Sequence, residues 1–91
     1  MSGRKSLNEN AGMLFFSDYP HDIQMWMKDT LIPLDMIFFD EKGKIVHIHP
    51  NAVPNDLTVI SSGMDVKGVI ELNGGRTEQL NIKVGDVIHF E

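Results

Sequence analysis

The 91-residue sequence has no cysteine, one Trp, one Tyr, and 8 Lys and Arg against 13 Asp and Glu. Without cysteine there is neither a disulfide framework nor a thiolate metal site, and the redox compartment leaves no mark on the chain. The formal net charge of −5 argues against a sequence-independent grip on nucleic acid, which needs a concentrated excess of cations to displace counterions from phosphate. The basic residues are scattered, and only Arg4 and Lys5 adjoin. No apolar run approaches the ~20 residues of a membrane span, and residues 1–10 lack the apolar middle of a signal peptide. The expectation is a soluble chain that engages neither nucleic acid nor membrane. Repeats, linkers and low-complexity tracts are also missing, so residues 1–91 are expected to form one domain, with 1–10 a mobile N-terminal segment.

What is present is alternation. Apolar residues recur at every second position far more often than at helical spacing, and Gly, Pro and Asn punctuate the chain about every 8–12 residues. This predicts an all-β, mainly antiparallel domain of small barrel or clam-like shape, with at most one short helical turn. Ile23, Met25 and Met27 fall on one face of an extended segment, and Gln24, Trp26, Lys28 and Thr30 on the other, until Pro33 interrupts it. The run "LDMIFF" (34–39) is apolar on both faces apart from Asp35, as a central strand must be. In "DEKG" (40–43) Asp stands first and Gly last in a four-residue turn, which predicts a hairpin with "KIVHIH" (44–49) as its second arm. "PNAVPND" (50–56) carries two Pro and is predicted to break the ladder as the longest loop. A weaker strand "LTVIS" (57–61) and a stronger one "VKGVIEL" (66–72) follow. The remainder predicts a helical turn over 77–82 and a last strand "VIHF" (87–90).

The segments "GMLF" (12–15), "WMKDTLIPLDMIFFDEKGKIV" (26–46), "VIELNGG" (69–75) and "IKVGDVI" (82–88) together resemble domain-of-unknown-function family 192, an uncharacterised family. Order and spacing match over nearly the whole chain, and the core Trp-Met-Lys-x-Thr-x-Ile-Pro-Leu-Asp is long enough to be specific. The resemblance implies a compact, mainly β fold of barrel or clam type, often behind an export signal in bacteria and archaea, with no established activity. Met25 stands where the family usually has Phe, Asp29 where it usually has Asn, and Gly74 where Ala is common. Asn and Asp differ in charge and donor capacity. "RKSL" resembles the segment just before "GMLF", so the strand that normally precedes it is expected to be missing. That would leave a sheet edge for a partner to cover, a second copy of this chain included.

On a regular strand, Trp26, Lys28 and Thr30 would set an aromatic plate, a cation and a hydroxyl in a row roughly 6–7 Å apart. Such a row suits a polar ligand with one apolar face, such as a sugar ring or an extended peptide. The competing reading makes Trp26 core and lets Lys28 snorkel to water. Glu71 lies between apolar neighbours, where a carboxylate needs a partner such as Lys28 or Arg76, and Asn73 shares its face. Glu71 and Asp35 could instead form the acid/base pair of a hydrolase, although Asp35 also suits a role binding backbone donors freed near Pro33. His47 and His49 fall two apart on one face, and His21 or His89 could join them on a metal. No third ligand is local, however, and a metal-free chain is expected. No Ser-His-Asp order, phosphate loop or zincin motif calls for a cofactor. The leading expectation is a non-enzymatic module binding a small polar ligand or peptide across Trp26, Lys28, Thr30, Asp35, Glu71 and Asn73. An interaction module using an exposed sheet edge, and a hydrolase using Glu71 and Asp35, stand as alternatives.

Overall fold

The computed structural model describes residues 12–88. They hold four strands, β1 (Gly12–Met25), β2 (Leu34–Phe39), β3 (Ile45–Ala52) and β4 (Ile60–Asn73), and one helical turn, α1 (Arg76–Gln79). The strands form a single antiparallel sheet in the order β1-β4-β2-β3. The all-β expectation therefore holds. β1 and β3 are the edges of an open sheet among the described residues, so the strands do not close into a barrel.

All six residues of β2 are buried, because the strand lies between β4 and β3 and is covered on both faces. On one face Leu34, Met36 and Phe38 join Val66, Val69, Ile60 and Ala52 in the main core, with Met27 folded onto them. On the other, Ile37 and Phe39 are buried, and Phe39 pairs with the buried Ile45. Gly68 sits opposite both Phe16 and Phe39 in the register. A Cβ there would collide with the Phe15 carbonyl oxygen and the Phe39 ring, so the missing side chain makes room for an edge-to-face pair of Phe16 and Phe39 at 5.6 Å.

The predicted hairpin is present. The Asp40 carboxylate accepts the Lys42 and Lys44 amides, the Gly43 amide reaches the Asp40 carbonyl, and Gly43 takes φ 80°.

Three boundaries differ from expectation. β3 runs through Pro50 to Ala52, because Pro50 lies in an edge strand where Pro50 and Asn51 together bulge opposite Asp35. Residues 57–59 precede β4 rather than forming a strand. Val87 makes one bridge to Lys44 and the Ile88 amide donates to the Gly43 carbonyl, while residues 89–90 of the predicted last strand lie outside the described residues.

Candidate functional site

The segment from Trp26 to Thr30 turns instead of continuing as a strand. β1 ends at Met25, and Met27 is still inward, as the alternation predicts. The Thr30 amide then donates to the Met27 carbonyl at 3.1 Å, and Asp29 adopts φ 57°. A positive φ at the third position is what a type II turn demands, and Asn or Gly meets it at least cost. The turn docks on the loop before β4 through the Met27 amide to the Asp56 carbonyl and the Asn55 amide to the Thr30 carbonyl, both at 3.0 Å. Trp26 is left 50% exposed, with the Lys28 ammonium 5.4 Å from its ring centre. Thr30 is 1% exposed and its hydroxyl donates to the Lys28 carbonyl at 3.3 Å. The proposed row of three thus reduces to an exposed Trp26–Lys28 pair, and the turn carries Thr30 inward.

Asp35 is wholly buried and its carboxylate is consumed. Oδ1 accepts the amides of Asn51 and Gly75 at 2.8 and 3.0 Å, while Oδ2 accepts the amide and hydroxyl of Thr77 at 2.9 and 2.7 Å. Burial pushes the carboxyl upward, but the donors from Asn51, Thr77 and Gly75 together outweigh it and hold the group below its ordinary value. Asp35 is the staple that joins the β3 bulge to the start of α1. It has no acceptor left for a ligand.

Glu71 pairs with Met36, and Asp35 with Leu72, so the two carboxylates emerge on opposite faces of the sheet. They are not an acid/base pair. Glu71 is 1% exposed in a row that runs from Met13 through Met36, and burial raises its carboxyl above the ordinary value. At that exposure it does not line an open groove with the exposed Lys28. Asn73 ends β4 opposite Leu34 and is half-buried on the Glu71 side. His47 and His49 share a face, as predicted, opposite Phe38 and Met36, with the His47 ring 5.5 Å from Phe38. His21 lies on β1 at the other edge of the sheet, and His89 lies outside the described residues. Among the described residues no group of three or more His, Asp or Glu is placed to hold a metal.

The feature that the alternation does not reveal is the outer part of β1. Phe16 pairs with Gly68 and His21 with Val66, so Ser17 to Pro20 face only Lys67 and bulge away from the sheet. The Ser17 hydroxyl donates to the Tyr19 carbonyl at 2.7 Å, and the Lys67 ammonium donates to the Asp18 carbonyl at 3.0 Å. His21 Nδ1 lies 2.9 Å from Ser17 Oγ and 3.1 Å from the Tyr19 carbonyl. A carbonyl only accepts, and the Ser17 proton is already committed to it, so Nδ1 carries a proton. Beside the bulge an open depression of about 420 Å³ is lined mainly by Phe15, Phe16, Asp18, His21, Ile23 and Met25. Phe15, Phe16 and Tyr19 are 40, 58 and 66% exposed. Ser17, Asp18 and Pro20, three turn-forming residues directly after the apolar stretch 12–16, are the signal that marks this bulge in the sequence.

A family profile, DUF192 (Uncharacterized ACR), matches residues 1–90. The chain belongs to this family. Two crystal structures share the fold of this DUF192 member. One is of a candidate transcription regulator from Sinorhizobium meliloti 1021, 40% identical, with a TM-score of 0.92 over 94% of this chain and 67% of that one. The other is of a protein of unknown function from Novosphingobium aromaticivorans DSM 12444, 36% identical, with a TM-score of 0.94 over 98% of this chain and 64% of that one. This DUF192 chain thus spans about two thirds of the length of either protein. No curated protein matches it.

Proposed function

We propose that this DUF192 chain is a non-enzymatic binding module that receives an extended polypeptide segment along the outer edge of β1. The observation that carries this reading is the stretch 12–16, "GMLFF", at the sheet edge. Edge strands ordinarily carry Lys, Pro or inward charges that discourage further pairing. This stretch has none, and among the described residues no strand pairs with its outer side. The bulge and Pro20 end it, so the edge offers room for a short strand. The adjacent depression offers a recess for one apolar side chain of that strand, the usual division of labour in strand addition.

The polar-ligand reading has less support, since Thr30, Asp35 and Glu71 are buried and Asp35 is fully engaged. For the Sinorhizobium relative, transcription regulation is in the name. A net charge of −5 with scattered cations favours a protein partner over DNA for any regulatory role of this chain. The test is an amide-resolved NMR titration with a ten-residue peptide of alternating Thr and Val. Shifts concentrated at residues 12–16 and 21–25 are expected. No shifts up to ~1 mM peptide, the weak end of useful affinity, or shifts centred on β3, would overturn the reading.

A further inference from the structure

The same edge carries a charge pattern that narrows its partner, an inference resting on the reading of β1 as a docking edge. Beyond the apolar stretch, β1 bears two carboxylates and no Lys or Arg. The Asp18 side chain is exposed and lines the depression, with only its backbone carbonyl held, by Lys67. Asp22 pairs directly with Asp65 of β4. Two carboxylates therefore stand directly opposite one another on neighbouring strands, an arrangement that a cation of a partner suits. The Asp22 carboxylate is pinned by the Ser61 and Ser62 hydroxyls at 2.8 and 2.9 Å. These hydroxyls, Ser61 foremost, hold Asp22 below the ordinary carboxylate value, so it keeps its negative charge near neutrality. Asp65 is exposed. The basic groups that face this field are the Lys67 ammonium, tied to the Asp18 carbonyl, and the His21 ring, held by Ser17 and the Tyr19 carbonyl.

We propose that the segment received at β1 is an apolar and basic one: an apolar side chain enters the depression between Phe15, Ile23 and Met25, and a Lys or Arg on the other face of the added strand reaches the Asp22–Asp65 pair, while Asp18 adds to the negative field of the edge. Neighbouring residues of a strand point to opposite faces, so the two side chains belong one or three positions apart. The carboxylates set the register, because sliding the partner strand by one residue would turn its cation to the opposite face.

Three ten-residue peptides distinguish this inference from the reading beneath it: the alternating Thr/Val peptide, one with two Thr replaced by Lys, and one with two Thr replaced by Glu. At low ionic strength the Lys peptide should bind about fivefold to tenfold tighter than the Glu peptide, and the ratio should shrink in ~0.5 M salt. In the double variant Asp18→Asn, Asp65→Asn, checked for a parent-like NMR spectrum, the ratio should fall towards one. Equal binding of the Lys and Glu peptides, or a ratio that survives in the double variant, would overturn the charge assignment while leaving the docking edge intact. Failure of all three peptides to bind would remove both. A dimer at micromolar concentration that Leu14→Lys dissociates would give the edge to a second copy of the chain and refute a basic partner.

Discussion

Replacing Asp35 by Asn tests the staple that shapes one end of this molecule. The carboxylate accepts four hydrogen bonds, two on each oxygen, from donors in the β3 bulge and at the start of α1. Asn retains one acceptor oxygen; turned toward Thr77 its amide group meets the Thr77 N–H, with the Thr77 hydroxyl reversed to accept, and turned the other way it meets the Asn51 and Gly75 amides. At least one bond to a charged acceptor, about 1.5–3 kcal/mol, is exchanged for a donor–donor contact, and the remaining bonds lose their charge assistance. The released cost of a buried charge returns part of that loss, so a net destabilisation of about 3 kcal/mol is expected. A domain of this length stands by roughly 5–14 kcal/mol, so Asp35→Asn should fold with a clearly lower urea midpoint, by about 1.5 M for a slope near 2 kcal/mol/M. Thr77→Ala, which deletes one hydroxyl, should lose about 1 kcal/mol. The pH dependence supplies a second check. The folded Asp35 carboxyl lies below its ordinary value, so its contribution is present above the unfolded carboxylate value of about 3.9 and fades as pH falls through the depressed one. The gap between parent and variant should therefore be constant from about pH 5 to 8 and close at lower pH. A midpoint equal to that of the parent at neutral pH, or a gap undiminished in acid, would refute the assignment.

Three further outcomes follow from the geometry. Gly68→Ala should cost about 1–3 kcal/mol in thermal or urea unfolding, because the Phe39 ring must move to admit the methyl group; unchanged stability would show that the Phe16–Phe39 pair tolerates repacking. Glu71 titrates above its ordinary value, so its carboxyl favours folding at low pH and loses that contribution as pH rises through the raised value. Glu71→Gln should flatten the decline in stability between pH 4 and 8, and parallel urea profiles for parent and variant would count against the assignment. Asp29→Asn should be neutral or stabilising by about 0.5 kcal/mol, since Asn tolerates the left-handed φ better; a marked loss would point to a role for the Asp29 charge.

Much of this architecture is legible in the residues. "LDMIFF" reads as a strand covered on both faces because apolar side chains at every position exclude a solvated one, and "DEKG" specifies its own turn. The inward set Ile23, Met25 and Met27 also follows from alternation. Alternation cannot reveal where the backbone stops being extended, and that limit explains Thr30. A left-handed Asp29 reverses the chain without disturbing the apolar period, so a hydroxyl placed outward by parity ends inside. Pro50 misleads for a related reason: it forbids a ladder bond only where its nitrogen would donate, and a bulge in an edge strand makes no such demand. Parity does separate Asp35 from Glu71 once the β2–β4 register is known, but register is a property of two strands and neither discloses it alone.

The position of β4 has a kinetic consequence. Gly12 finds its neighbour in Leu72, 60 residues further on, whereas β2 and β3 are joined by a tight turn and can zip together at once. Pairing between such remote segments is slow, and a ribosome adds only about 5–20 residues per second. The apolar ribbon of β1 is made before β4 and must wait seconds for the segment that will shelter one of its sides. During that interval it is the part of the molecule most in need of a chaperone.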